Sequence, residues 1–148
     1  MKQKLLPPTY LLIALIAMTL LHFIIPVWKG SFSSWQILGC LPLALGIGFN
    51  LIADKALRVA GTTVKPFQES KTLVTDSVYR ISRHPMYLGF VLILIGFAIL
   101  LGSLTPWFII VIFGLLMEII FIRVEESMLE EKFGAGWLDY KSKVRKWI

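Results

Sequence analysis

The sequence predicts an all-α integral membrane protein with about four transmembrane helices, and three observations predict it. Hydrophobic residues make up 57% of the 148 and charged residues 16%, with a mean hydropathy of +0.77. A water-soluble domain of this size has too little interior to bury so much apolar surface. Four apolar runs, roughly residues 10–27, 35–53, 85–101 and 106–122, have about the length a helix needs to cross a hydrocarbon core of about 30 Å. Lysine and arginine fall almost entirely on one side of those runs. The expected organisation is a single membrane domain, residues 1–148, with a loop over 54–84 and a tail over 123–148.

Lys2 and Lys4 precede the first run as the basic region of a secretory signal would. The run is nevertheless too long for one, and Ile24-Ile25-Pro26-Val27-Trp28 offers no small-residue cleavage site. Pro26 and Trp28 mark a helix exit at the membrane interface, and Trp35 opens the second run on the same side. Cys40, the single cysteine, lies inside the second run and reads as a small packed apolar residue. Gly46-Ile47-Gly48 leaves room for helix association there. His22 and His84 fall on opposite sides of the membrane, so no histidine or cysteine cluster stands at metal-ligand spacing. The third and fourth runs are separated by little more than Gly102-Ser103-Leu104-Thr105, which permits only an antiparallel helical hairpin.

Charge sets the expected orientation. Lys2, Lys4, Lys55, Arg58, Lys65, Lys71, Arg80, Arg83, Arg123, Lys132, Lys141, Lys143, Arg145 and Lys146 share one face, and Lys29 alone lies on the other. Cytoplasmic loops carry the excess of lysine and arginine, so both termini and the 54–84 loop are expected to be cytoplasmic. The net charge of +6 then attracts anionic membrane lipid, and no nucleic acid is needed to explain it.

Within the loop, Gly61-Thr62-Thr63-Val64-Lys65-Pro66-Phe67 mixes a turn residue, β-branched residues and a proline, which argues against a continuous helix. In the tail, Met128, Leu129, Phe133, Trp137, Tyr140 and Val144 recur at helical intervals, the pattern of an amphipathic helix lying along the membrane face. Gly134-Ala135-Gly136 marks a break in it.

Ser82-Arg83-His84-Pro85-Met86-Tyr87-Leu88-Gly89 carries the chemistry. Proline suits the first position of a helix, so Pro85 opens the third span and sets Arg83 and His84 at its mouth. Ionisable residues are expensive in or near a span, which makes Glu118, Arg123, Glu125 and Glu126 site candidates. For Arg83, Arg123 and Glu126, simple snorkelling at a span end is the competing reading. Regular α-helical spacing puts Glu118 and Glu125 on one face and does not bring Glu118 to Arg123.

Leu73-Val74-Thr75, Tyr79 and the Arg83 to Gly89 string, followed by Glu125-Glu126, Phe133-Gly134 and Tyr140, resemble the isoprenylcysteine carboxyl methyltransferase family of integral membrane enzymes. The wider group includes phospholipid methyltransferases, and the resemblance covers roughly residues 61–147. It implies methyl transfer from S-adenosyl-L-methionine, bound in a pocket formed by the third and fourth spans, the preceding loop and the tail. Cofactor contacts of that family would fall on Lys71, Thr72, Leu73, Val74, Tyr79, His84, Pro85, Met86, Tyr87 and Glu125. The family carries a histidine where this chain has Lys71, a glutamine where it has Val64, and a substrate-binding arginine where it has Phe121. Arg123 and Glu118 are the candidates for positioning a substrate, and Arg83 is a further cation able to hold a carboxylate. Transfer from a sulfonium needs chiefly positioning and exclusion of water, so neither a nucleophilic side chain nor a metal is required. The expected acceptor is lipophilic, with transfer to an isoprenylcysteine-type carboxylate favoured and transfer to a phospholipid amine the alternative. The contrasting reading is a non-catalytic membrane protein that binds anionic lipid or a partner through its basic face.

Overall fold

A computed structural model describes residues 6–25, 27, 34–62 and 70–148. Lys2, Lys4, Pro26, Trp28, Lys29, Lys65 and the rest of the 63–67 stretch, Val64 included, lie outside the described residues. Helix α1 is Pro7–Ile24, α2 is Cys40–Val59 after a 3-10 turn over Ser34–Gly39, and α3 is Pro85–Leu101. Helix α4, Thr105–Met117, runs through a π-turn at Glu118–Ile122 into α5, Arg123–Phe133, and α6 is Ala135–Lys143. Among the described residues three helical stretches, Pro7–Ile24, Ser34–Val59 and Thr105–Phe133, are long and apolar enough to cross a membrane, and α3 is a shorter apolar helix. The all-α membrane architecture read from the sequence is the one observed.

The ends of the helices follow local chemistry. Prolines occupy the first turn of α1, where their missing N–H groups have no partner to lose, so α1 begins at Pro7, ahead of the apolar run. Helix α2 continues past Ala53 to Val59, into what the hydropathy assigned to a loop. The apolar run ends there but helical bonding does not: Arg58 Nε donates to Asp54 Oδ2 at 2.7 Å, one turn apart on a polar surface. Gly102, with φ +67°, terminates α3, a conformation glycine adopts without steric penalty.

The chain divides into two compact units. The first comprises Met1–Ile47 and Phe90–Leu115. Its core includes Met18, Leu94, Ala98 and Phe113, with the Phe90 and Phe113 rings edge to face at 6.5 Å. Gly39 and Gly96 meet backbone to backbone: a Cβ on either would come within 2.5 Å of the other's carbonyl oxygen. That pair, rather than Gly48, which faces open space, is the close approach used here. His22 Nδ1 lies 2.8 Å from Ser103 Oγ, and Thr105 Oγ1 donates to the Ile25 carbonyl at 2.7 Å. Cys40 is exposed and not packed inside, because α2 turns it to the outer surface.

The second unit comprises Gly48–Gly89 and Leu116–Ile148. Ala53, Val78 and Tyr79 form its apolar centre, joined by Phe49, Ala56, Leu57, Val74 and Met86. Met117, Phe121, Ile122 and Trp137 are also buried in it. Gly134, with φ +48°, separates α5 from α6 at the break the glycines foreshadow. Tyr140 Oη, from α6, donates to the Tyr79 carbonyl at 2.6 Å and ties the tail to the 3-10 turn Ser77–Arg80.

Candidate functional site

Every candidate residue named from the sequence belongs to the second unit. Pro85 starts α3 as expected, and the residues before it are fixed by Ser82. The Ser82 hydroxyl accepts from the His84 backbone N–H at 3.1 Å and donates to the Lys146 carbonyl at 3.0 Å. The backbone N–H of Arg83 donates to the Arg145 carbonyl at 3.1 Å. The tail therefore lies directly against the Arg83-His84 corner.

His84 is 5% exposed, and its ring stands between two carboxylates from α5. Nδ1 is 3.6 Å from Glu125 Oε2, and Nε2 is 3.3 Å from Glu126 Oε1. Burial works to lower the pKa of the imidazole, but hydrogen bonding and charge from Glu125 and Glu126 outweigh it, and the net direction is upward. Glu125 also accepts from the Tyr87 hydroxyl at 2.6 Å. Burial pushes the Tyr79 and Tyr140 phenols up, which keeps both as neutral hydrogen-bond donors at ordinary pH.

Glu126 is the hub of a second layer. Arg83 Nε and Nη2 both donate to its Oε1, at 3.0 and 2.7 Å, and Lys146 Nζ lies 3.6 Å from Oε2. The remaining Arg83 nitrogen, Nη1, donates to the Lys141 and Val144 carbonyls at 3.1 and 3.0 Å, with the guanidinium over the Trp137 ring at 5.8 Å. Arg83 is thus committed to Glu126 and the tail, which corrects its reading both as a snorkelling cation and as a holder of a ligand carboxylate.

The π-turn corrects the helical register. In it the Arg123 N–H reaches back five residues to the Glu118 carbonyl, where an α-helix would reach back four. Residues five apart become neighbours, and Arg123 Nε lies 3.7 Å from Glu118 Oε1. Lys146 Nζ donates to the same Glu118 oxygen at 2.8 Å and also approaches Glu126. It is therefore Glu118 and Glu126 that share a partner, while Glu125 turns to Tyr87 and His84; regular spacing misassigned this because the turn inserts one residue. The second Glu118 oxygen, Oε2, is buried and has no hydrogen-bond partner among the described residues.

The remaining candidates vary in placement. Val74 and Met86 pack on the Tyr79 core, Pro85 is buried, and Leu73 is half-buried. Lys71 and Thr72 are exposed, Lys71 being anchored by its backbone N–H to Thr62 Oγ1 at 2.9 Å. Phe121, at the position of the family's arginine, is fully buried with its ring 6.1 Å from that of Tyr87. Ser82 and Tyr140 stand in the sequence motifs without an assigned role, and Lys146 stands only among the basic residues of the tail. Tyr140 stood in the amphipathic pattern, but nothing local distinguished Lys146 from the other tail cations.

These features define a class: a helical membrane protein whose polar cluster of histidine, arginine, tyrosine and paired glutamates is assembled where α3 begins and α5 follows its π-turn. Residues 35–136 match the model of the phospholipid methyltransferase family, and the chain belongs to that family. Protein-S-isoprenylcysteine O-methyltransferase of Saccharomyces cerevisiae is 40% identical over 115 residues, covering 73% of this chain and 46% of that protein. Its counterpart in Schizosaccharomyces pombe is 29% identical over 133 residues, covering 84% of this chain and 51% of that protein. The chain thus spans about half the length of these curated relatives. No solved structure gives a significant match. The resemblance carried by the Arg83 to Gly89 string and the glutamate pair is borne out.

Proposed function

We propose that the protein is a membrane methyltransferase that uses S-adenosyl-L-methionine and acts on a lipophilic acceptor, with an isoprenylcysteine-type carboxylate as the favoured class. The observation that carries this reading is Glu125, held between the Tyr87 hydroxyl at 2.6 Å and His84 Nδ1 at 3.6 Å at the mouth of an apolar helix. When bound, S-adenosyl-L-methionine supplies a methyl group on a sulfonium, open to in-line displacement. The residues present fit such a ligand: the partly exposed Glu125 carboxylate suits its ammonium and hydroxyls, and the Tyr79 and Tyr87 rings offer faces to its adenine or positive sulfur.

In this reading Glu125 accepts from the donor molecule, and His84 and Tyr87 fix the carboxylate. Tyr79, Pro85, Met86, Leu73 and Val74 supply the apolar wall that excludes water, and Lys71 and Thr72 lie at its exposed edge. Arg123, with a side chain 68% exposed, and Glu118 position the acceptor. An acceptor carboxylate is already nucleophilic when ionised, so this chain has only to orient and shield it. Both termini and the 54–84 loop face the cytoplasm, following the asymmetry of lysine and arginine. The unpartnered Glu118 oxygen favours a second reading, in which the acceptor is a phospholipid amine that this carboxylate receives.

Calorimetric titration of the detergent-solubilised protein with S-adenosylhomocysteine tests the donor site. Binding is expected, and His84→Ala and Glu125→Ala should each abolish it while thermal unfolding stays cooperative. Unchanged affinity in both variants would refute the site. Transfer of labelled methyl groups to prenylcysteine analogues or to phospholipid amines then decides between the acceptors.

A further inference from the structure

His84 offers two ring nitrogens, and each faces a carboxylate oxygen: Nδ1 faces Glu125 and Nε2 faces Glu126. A neutral imidazole has one N–H and one bare lone pair, so one of these contacts would set a lone pair against a carboxylate; only a ring with both N–H groups satisfies the pair. The two glutamates differ in what else they meet. Glu126 has a side chain 12% exposed and is held by Arg83 at 2.7 and 3.0 Å, with Lys146 at 3.6 Å. Glu125, with a side chain 23% exposed, has Tyr87 at 2.6 Å. One carboxylate is anchored by the fold and the other is the more open to a ligand.

We propose that Glu126 is a positioning residue that acts through His84, fixing the imidazole so that Nδ1–H holds Glu125 in the orientation that receives the methyl donor. The assignment rests on the donor site proposed above. Glu126 itself does not touch the donor; its anchor, Arg83, passes the geometry of the tail to the ring, since Nη1 of the same guanidinium holds the Lys141 and Val144 carbonyls. The charged and titratable groups around the ring are Glu125 and Glu126 from α5, Tyr87 from α3 with its ring centre 5.9 Å away, and, beyond Glu126, Arg83 and Lys146.

The test joins two measurements on the whole protein. The chain has only two histidines, so ¹⁵N-imidazole spectra, assigned with His22→Ala, follow the titration of His84 directly without any ligand. Calorimetry gives S-adenosylhomocysteine affinity across the same pH range. In the wild type, affinity should fall in step with deprotonation of His84. Glu126→Gln should move the His84 midpoint to lower pH and weaken binding by about tenfold or more at pH 7.5, the scale of one charge-assisted hydrogen bond. Glu126→Asp, which keeps the charge, should restore much of both. A wild type that binds with an affinity independent of His84 titration overturns the inference without need of a variant, and so does Glu126→Gln with unchanged midpoint or unchanged affinity. Failure of the wild type to bind at all overturns the donor site instead, and the two failures are thereby told apart.

Discussion

Replacing Arg83 by methionine keeps most of the aliphatic stem but removes the guanidinium, and the structure sets the expected loss. The Arg83 side chain is 8% exposed and that of Glu126 is 12% exposed, so the pair is shielded from water. The substitution deletes two hydrogen bonds to Glu126 Oε1 and two to the tail carbonyls of Lys141 and Val144. Removing one partner of a buried ion pair typically costs about 3–5 kcal/mol, because the remaining charge stays buried. Glu126 keeps His84 and Lys146 nearby, which places the expectation at the lower end, about 3 kcal/mol. The assay is reversible unfolding in mild detergent, with limited proteolysis of the segment after α5 as the local readout. Arg83→Lys should fall between the two, since an ammonium cannot span Glu126 and two carbonyls as the planar fork does. A loss below about 1 kcal/mol, the range of exposed pairs, together with an undiminished resistance of the tail to protease, would refute the reasoning.

Two further outcomes follow from the same unit. Tyr140→Phe removes the donor to the Tyr79 carbonyl at 2.6 Å and should destabilise by about 1–2 kcal/mol in the same unfolding assay; no measurable change would mean the tail is not fastened through this bond. Stability should also decline with alkalinity. His84 is raised above its unfolded value of about 6.5, so its contribution is complete below that pH and is lost as pH rises through the higher folded midpoint. Melting temperatures measured from pH 5.5 to 9 should therefore fall on the alkaline side, and His84→Gln should flatten that limb; an unchanged slope in the variant would assign the effect elsewhere.

The membrane class and the hairpin of α3 and α4 were legible because proline and glycine punctuate the chain where helices begin and end. Pro85 and Gly102 delimit α3 at the boundaries expected from the apolar run. The extension of α2 to Val59 was not legible, because hydropathy reports where lipid-compatible residues stop and not where backbone bonding stops. At the site, the Arg83-His84 corner and the glutamate pair carried enough local signal to be found. That Glu126, and not Glu125, shares a partner with Glu118 did not, since it depends on the π-turn, and a five-residue backbone bond leaves no periodic trace in five residues of sequence. Lys146 was hidden for a different reason: its partners Glu118 and Glu126 are far away in the chain, and only the path of the tail brings them together.

The surplus residue in the Glu118–Ile122 turn decides where the acids that follow it are aimed. Upstream, Phe108, Val111, Ile112 and Leu115 are exposed, as suits a surface turned to acyl chains. Excising one residue from the turn would swing Glu125 and Glu126 by about 100° around the helix relative to Glu118, away from Arg83, His84 and Tyr87.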